Sequence, residues 1–589
     1  MHREPIRRHP VRRQAGWRCG LAALAATAIL CAPATAAPAL GLDNPTLAFN
    51  LSGVKDYRPG LQFLDVMRLA RPWTAYPSGQ GENMDMGGLR KGGHLDENGW
   101  PTGFPEGYGR ISTLWQWKSV PMEKARQTGT YLLRYEGEGE IEMRGVRVIG
   151  RAPGRIAFEN TGDNMYLDIL STDPFGTGEH IRDITIVKRE YQDLLDVGAV
   201  FNPDWLRLIE DARQIRFMDW NGTNNSSLRS WEDRVRPENP FGVSLEYMVQ
   251  LANELGTDAW FTMPHMADAD YIRRFATYVR DHLDPALTVR VEYSNETWNW
   301  MFEQAQWLLR QSQEHWGEDA HTDYQAKKAV EAALIWNEVF ADAPDRIVHV
   351  IGTQATQPGV TERLLRAKKW QANEPDAFVP PTEVFDEVAI THYFGGWALR
   401  DDGAAWKELA RAVEDPDIDA TAYLAESLAD PDYRFSIPDL AETWREQARI
   451  AHENGLGLVA YEGGQHEHHA GTAKGKDEAT LDRVRAFELD FARSEAMGDL
   501  YDLLWETWME IGDGPFMQFG DMTKPSKFGT WGLWESLDGT TPRAERLMAL
   551  NRETAPWWDG AEAGSQYLQG VTRLGGPADE VMEGTPQED

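Results

Sequence analysis

Residues 241–283 alternate between two patterns of apolar positions. Leu245, Met248, Val249, Ala252 and Leu255 fall at i, i+3, i+4, i+7 and i+10, one face of a helix. Gly256 follows, where a helix C-terminal cap would stand. Ala259-Trp260-Phe261-Thr262-Met263 is then a continuous run, the mark of a strand buried on both faces. Ile272, Phe275, Ala276, Val279 and Leu283 form a second helical stripe, and Val289-Arg290-Val291-Glu292-Tyr293 a second strand. The alternation recurs at variable spacing. It predicts strands at 47–54, 214–220, 258–264, 288–294, 346–352, 386–393, 456–462 and 515–520, with helices between most of them. Eight such repeats predict an α/β fold, a TIM (β/α)8 barrel over 37–110 and 196–555. An open doubly wound sheet is the alternative, but no G-x-G-x-x-G follows the first strand.

The first crossover breaks the rhythm, with about 160 residues between the first two strands. Within it, 128–190 is made of short, often alternating runs separated by Gly, Pro, Asn and Asp, such as Tyr131 to Tyr135, Arg155 to Phe158 and Met165 to Ile169. That texture predicts an antiparallel β-sandwich-like domain at 111–195, inserted between strands one and two. It serves either as a sugar-binding module, as a rim of the cleft or as a packing unit. Residues 72–110, rich in Gly, Pro and Trp, are expected to form a long loop over the barrel top. Residues 401–450 are expected to be a helical excursion after strand six, and 556–589 an acidic, frayed tail.

Composition narrows the partners. Of 589 residues, 59 are Lys or Arg and 93 Asp or Glu, a net charge of −34 that repels phosphate backbones and anionic lipid. Nucleic acid is not an expected partner. The chain opens with six Arg ahead of an apolar run from Leu21 to about Ala32, and Ala34-Thr35-Ala36 is a small-residue cleavage site. Residues 1–36 therefore read as a bacterial-type signal peptide cut after Ala36, with the mature protein secreted or periplasmic and off the membrane. Both cysteines, Cys19 and Cys31, lie in that leader, so the mature chain has no thiol for disulfides, catalysis or metal. The 24 Trp, 18 Tyr and 21 Phe suit stacking on sugar rings as well as core packing.

In a barrel of this kind, reactive groups sit at the C-terminal ends of strands. Strand four ends in Tyr293-Ser294-Asn295-Glu296-Thr297-Trp298-Asn299-Trp300, and strand seven in Ala460-Tyr461-Glu462-Gly463-Gly464. Two carboxylates at the mouth, each beside aromatics, match what glycosidic cleavage requires: one acid to protonate the leaving oxygen, one base to attack the anomeric carbon or activate water. His265 ends strand three, and Asp219 and Trp220 end strand two. Each of these either lines a sugar site or serves the packing. Of Trp298 and Trp300, one is expected to face the cleft and the other the barrel wall.

With these residues in place, the chain resembles the clan A glycoside hydrolases, retaining (β/α)8 enzymes, over roughly 45–555 without the insert. The resemblance implies Glu296 as acid/base, Glu462 as nucleophile and Asn295 as the contact to the sugar 2-hydroxyl. It also implies His392 or Tyr393 beside the nucleophile, Trp531 and Trp534 as an aromatic platform, and Arg216 as the strand-two arginine. Thr297 stands where the commonest signature of the clan has Pro. The implied activity is hydrolysis of β-linked glucan, cellulose-like or hemicellulose chains by double displacement, with no cofactor. Glu296 would then be protonated at the start, its pKa raised by burial and by Glu462.

Two rival readings remain. Gln465-His466-Glu467-His468-His469 invites a metal, but the spacing is not H-E-x-x-H and no metal is expected. A secreted carbohydrate-binding protein on a barrel without activity would also suit the aromatic content. Neither a Walker A sequence nor a G-x-S-x-G elbow is present.

Overall fold

The computed structural model describes residues 42, 44–119, 126–401, 403–467, 475–527 and 529–561. The expected leader with its two cysteines, most of the acidic tail, and His468 and His469 lie outside the described residues.

Eight parallel strands form one sheet: β1 (Leu47–Asn50), β2 (Gln214–Arg216), β3 (Asp258–Met263), β4 (Val289–Tyr293), β5 (Ile347–Gly352), β6 (Glu387–Phe394), β7 (Gly457–Gln465) and β8 (Phe516–Phe519). Each falls within or across a predicted strand. Neighbours follow chain order from β1 to β7, and β1 also pairs with β8, Ala48 opposite Gln214 on one side and Met517 on the other. The sheet curls so that β7 meets the start of β8, the Asp513 amide donating to the Leu458 carbonyl at 2.7 Å. The result is the (β/α)8 barrel that the sequence predicts.

The local reasons are visible in the first repeats. The helix Leu245–Leu255 buries Leu245, Met248, Val249, Leu251, Ala252 and Leu255 and ends on Gly256 at φ 60, a left-handed cap for which glycine carries no Cβ penalty. The helix Ala269–His282 starts at Asp268, whose carboxylate accepts from the Tyr271 amide at 2.8 Å. Every residue of β3 is buried. The 401–450 excursion is helical, with helices Ala404–Glu414, Ala420–Ala429 and Ile437–Glu453.

Between β1 and β2 stand two antiparallel sheets. One has the order Arg182–Lys188, Gly129–Glu136, Arg155–Asn160, Arg147–Ala152. The other runs Met84–Asp85, Thr74–Pro77, Tyr108–Trp115, Met165–Thr172, Gly139–Arg144. Their alternating residues, Ile111, Trp115, Leu167 and Ile169 on one sheet and Tyr131, Leu133, Ile156 and Phe158 on the other, are buried in one core. Residues 72–110 differ from the expected loop. They supply two strands, the helix Met86–Lys91 and the start of a third strand to the second sheet. Strands of two to four residues carry too little alternation to stand out among Gly and Pro. Trp73 from this segment packs on Phe241, ring centroids 5.3 Å apart, and the Asn239 side chain donates to the Asn98 carbonyl at 2.7 Å, tying the insert to the loop after β2. Among the described residues, no helix is long and apolar enough to cross a membrane.

Candidate active site

The site is organised by Arg216, fully buried at the end of β2. An arginine in an apolar interior must be paired, and this one reaches four strands or strand ends. Its Nε and Nη2 donate to Glu292 Oε2 of β4 at 3.0 and 2.8 Å. Its Nη1 donates to Asn50 Oδ1 of β1 at 3.0 Å and to Glu462 Oε1 of β7 at 3.1 Å. Its Nη2 also reaches Asn295 Oδ1 at 2.8 Å. The guanidinium lies over the rings of Trp260 and Tyr461, 5.4 and 5.1 Å from their centroids.

Glu296 follows β4 on a strained turn. Ser294 and Glu296 both have left-handed backbones, at φ 60 and 41, without being glycine. Each such residue costs about 1–3 kcal/mol, and such costs concentrate at functional sites. Asn299 Nδ2 donates to Glu296 Oε2 at 2.8 Å, and the Tyr461 hydroxyl lies 3.4 Å from Oε1. Asn295 is fixed at both ends, its carbonyl to Arg216 and its amide to Asn224 Oδ1 at 3.1 Å.

Glu462 owes its aim to a bulge. Ile390 pairs with Ala460, but Thr391 pairs with Glu462, which leaves Tyr461 as an extra residue in β7. A bulge twists its strand and re-aims side chains. Here it lets two consecutive residues, Tyr461 and Glu462, both reach the Arg216 centre. The Tyr393 hydroxyl donates to Glu462 Oε2 at 3.1 Å.

Burial raises the pKa of both carboxyls; the charge of Glu296 further raises that of Glu462, to about 8, and the charge of Glu292 that of Glu296. They therefore release their protons in two steps that belong to the pair. Arg216 and Tyr393 donate to Glu462 and oppose the rise there, as Tyr461 does at Glu296. Asn299 opposes the rise at Glu296, because its hydrogen bond favours the ionised form. Asn299→Leu should thus raise the Glu296 pKa and move the alkaline limb of a pH–rate profile upward by about one pH unit. A limb that stays in place, or moves down, would rule out Glu296 as the group that sets it.

Glu296, Glu462, Asn295, Tyr393, Asp219, Trp298 and Trp531 line one cavity of about 500 Å³, within the usual range of ligand sites. Asp219 also accepts from the Gly53 amide at 3.0 Å, and Trp531 packs near Phe519 and His466. Arg216 does not line the cavity itself but bonds Glu462 and Asn295, which do. Trp220 stacks on Trp205 in the core, outside the cavity lining, and three further sequence candidates sit elsewhere. His392 is buried between β7 and β8, bonds the Met517 carbonyl at 2.9 Å and stacks on Trp508; burial pushes its pKa down to about 3. Gly463 makes room for it, since a Cβ there would lie 2.2 Å from the imidazole. His265 is buried beneath Trp307, ring centroids 5.4 Å apart, with its pKa pushed down to about 4 by burial. Trp534 packs on Phe49 at 5.7 Å. None of these three lines the cavity. Trp300, 49 % exposed, stands outside it beside His321.

Sequence reasoning missed Tyr461, Glu292, Asn299 and Asn50. Glu292 carried a signal: a charged residue inside a buried strand needs a partner, and Arg216 has the same anomaly. Among the described residues, no group of three or more His, Cys, Asp or Glu is arranged to hold a metal, and His466 faces the rings of Tyr393 and Trp531.

No protein-family model and no curated protein matches the chain. Among solved structures, it is similar to an α-L-arabinofuranosidase from Thermotoga maritima in complex with arabinose, at 12 % identity and TM-score 0.35 over 60 % of this chain. The chain spans 63 % of that protein's length. It is also similar to the N-terminal CBM22-1–GH10 modules of a Clostridium thermocellum endo-1,4-β-D-xylanase complexed with xylohexaose, at 10 % identity and TM-score 0.30 over 86 % of this chain and 98 % of that one. A fungal β-1,4-galactanase matches at 10 % identity and TM-score 0.31 over 61 % and 97 %. All three are glycosidases by name. At these scores the likeness carries no argument about this chain's chemistry.

Proposed function

We propose that the protein is a secreted, retaining β-glycosidase acting on β-linked glucan or hemicellulose chains. One observation carries the reading: two buried carboxyls, at the ends of β4 and β7, border one cavity, and the one on β7 accepts from both Arg216 and Tyr393. Glu462, whose ionised form Arg216 and Tyr393 favour against the cost of burial, attacks the anomeric carbon as the anion. Glu296 gives its proton to the departing glycosidic oxygen. The glycosyl-enzyme is then hydrolysed by a water whose proton returns to Glu296. Asn295, held by Arg216 and Asn224, is placed to bond the sugar 2-hydroxyl, a contact that strengthens as positive charge develops on the ring. Trp298 and Trp531 offer stacking faces along the cavity.

The test is product release from β-glucans, mannans, xylans and galactans, with the first-formed anomer followed by NMR. A substrate cleaved with net retention is expected. An α-anomer appearing first from a β-linked substrate would replace double displacement with single displacement. Binding to a polysaccharide with no product from any of them would replace the enzyme by a carbohydrate-binding protein.

A further inference from the structure

We propose that the outward face of the five-stranded sheet in the insert binds the carboxylate of a hexuronate residue in an acidic polysaccharide. The inference is independent of the glycosidase reading, because the site shares no residue with the barrel cavity.

One face of this sheet is hydrophobic and buried in the sandwich core. The register places the opposite face in rows: Tyr76 beside Arg110, Thr74 beside Ser112 and Asp168, Leu114 beside Tyr166 and Arg144. All of these but Asp168, with Arg71, enclose a small cavity of about 180 Å³, the scale of a single sugar ring. Three arginines converge there on a chain whose net charge is −34.

Two of the arginines are already engaged. Arg71 pairs with Asp56 at 2.7 Å. Arg144 forks onto Asp168, which is buried on the sheet and also accepts from the Ser112 hydroxyl. Arg110 is different. Its guanidinium lies over the Tyr76 ring, 4.4 Å from the centroid, and its nearest carboxylate oxygen, Asp168 Oδ1, is 4.0 Å away. Among the described residues it makes no hydrogen bond, and its Nε is buried without a partner. A side chain positioned by stacking, with its donors unused, is prepared for a planar acceptor, and a carboxylate matches the guanidinium fork in two bonds at once.

The ligand class follows from the surroundings. Asp56, Asp168 and Glu142 answer the charges of Arg71 and Arg144, so the open donor is the single guanidinium of Arg110, which suits one carboxylate better than a doubly charged phosphate. Tyr76 and Tyr166 give the walls aromatic character, suited to the C–H faces of a pyranose.

The test is affinity electrophoresis of the full chain through native gels containing polygalacturonate or alginate, with neutral galactan as control. The Glu462→Gln variant is run alongside, so that cleavage plays no part. The wild type and Glu462→Gln are expected to be equally retarded by at least one acidic polymer and not by galactan. Arg110→Ala should weaken that retardation at least tenfold, and Arg110→Lys, which keeps the charge but loses the fork, should fall between. Unchanged thermal melting would show that the variants are folded. No retardation in either acidic polymer, or retardation of Arg110→Ala equal to wild type, would overturn the proposal. So would equal retardation by dextran sulfate and polygalacturonate, which would reduce the effect to charge alone.

Discussion

Glu462→Gln is expected to lower turnover by roughly 10⁴-fold or more while leaving the fold intact, the scale of loss when a covalent nucleophile is removed. The amide keeps the shape of the carboxylate and removes its charge. Arg216 retains Glu292 as a counter-ion at 2.8 Å, so the interior is not left with an unpaired cation. Since burial raises the Glu462 pKa, ionising it in the folded state costs stability. The variant should therefore melt at the wild-type temperature or above. Glu296→Gln should behave differently. A missing general acid costs about 10²–10⁴-fold on a sugar leaving group. The loss should be much smaller on an aryl glycoside whose phenol departs without a proton. The two variants together separate the roles. If Glu462→Gln keeps wild-type turnover, the nucleophile assignment is wrong. If both variants lose turnover equally on every leaving group, the acid/base assignment to Glu296 is wrong.

The barrel was legible because its strands are buried on both faces and read as continuous apolar runs, as Ala259 to Met263 does. The insert was legible as alternation in strands such as Gly129–Glu136 and Met165–Thr172, and illegible at Tyr108–Trp115, Arg147–Ala152, Thr74–Pro77 and Met84–Asp85. Within the site, Glu296 and Glu462 stood out as carboxylates at strand ends. The choice between His392 and Tyr393 did not. Adjacent residues of a strand point to opposite faces, so only one of the two reaches Glu462. Which one depends on a register that the bulge at Tyr461 shifts, and a bulge leaves no mark in apolar periodicity. Trp531 and Trp534 pose the same problem in an irregular segment after β8, where no period exists to read. Arg216 came from a resemblance, yet its partners Glu292 and Asn50 required the barrel to be closed before their proximity was visible.

The largest expected loss of stability is at Arg216. Arg216→Met preserves bulk and removes a buried guanidinium that bonds Asn50, Glu292, Asn295 and Glu462. Breaking a buried ion pair by deleting one partner typically costs about 3–5 kcal/mol, because the other charge stays behind in the low-dielectric interior. Here two carboxyls stay behind. Without the guanidinium, Glu462 becomes harder to ionise, so the acid limb of the pH–rate profile should rise and activity near pH 6 should fall more steeply than activity at the optimum. Denaturant unfolding of the single variant, set against Arg216→Met combined with Glu292→Gln, divides the effect. Neutralising Glu292, which takes two of the guanidinium's hydrogen bonds, removes one of the two uncompensated carboxyls, so the double variant should regain much of the lost stability. Its activity should stay low, because Glu462 still lacks its donor and Asn295 is no longer held at its carbonyl. Recovery of activity along with stability would mean that Arg216 only balances Glu292, and that the ionisation of Glu462 rests on Tyr393 alone.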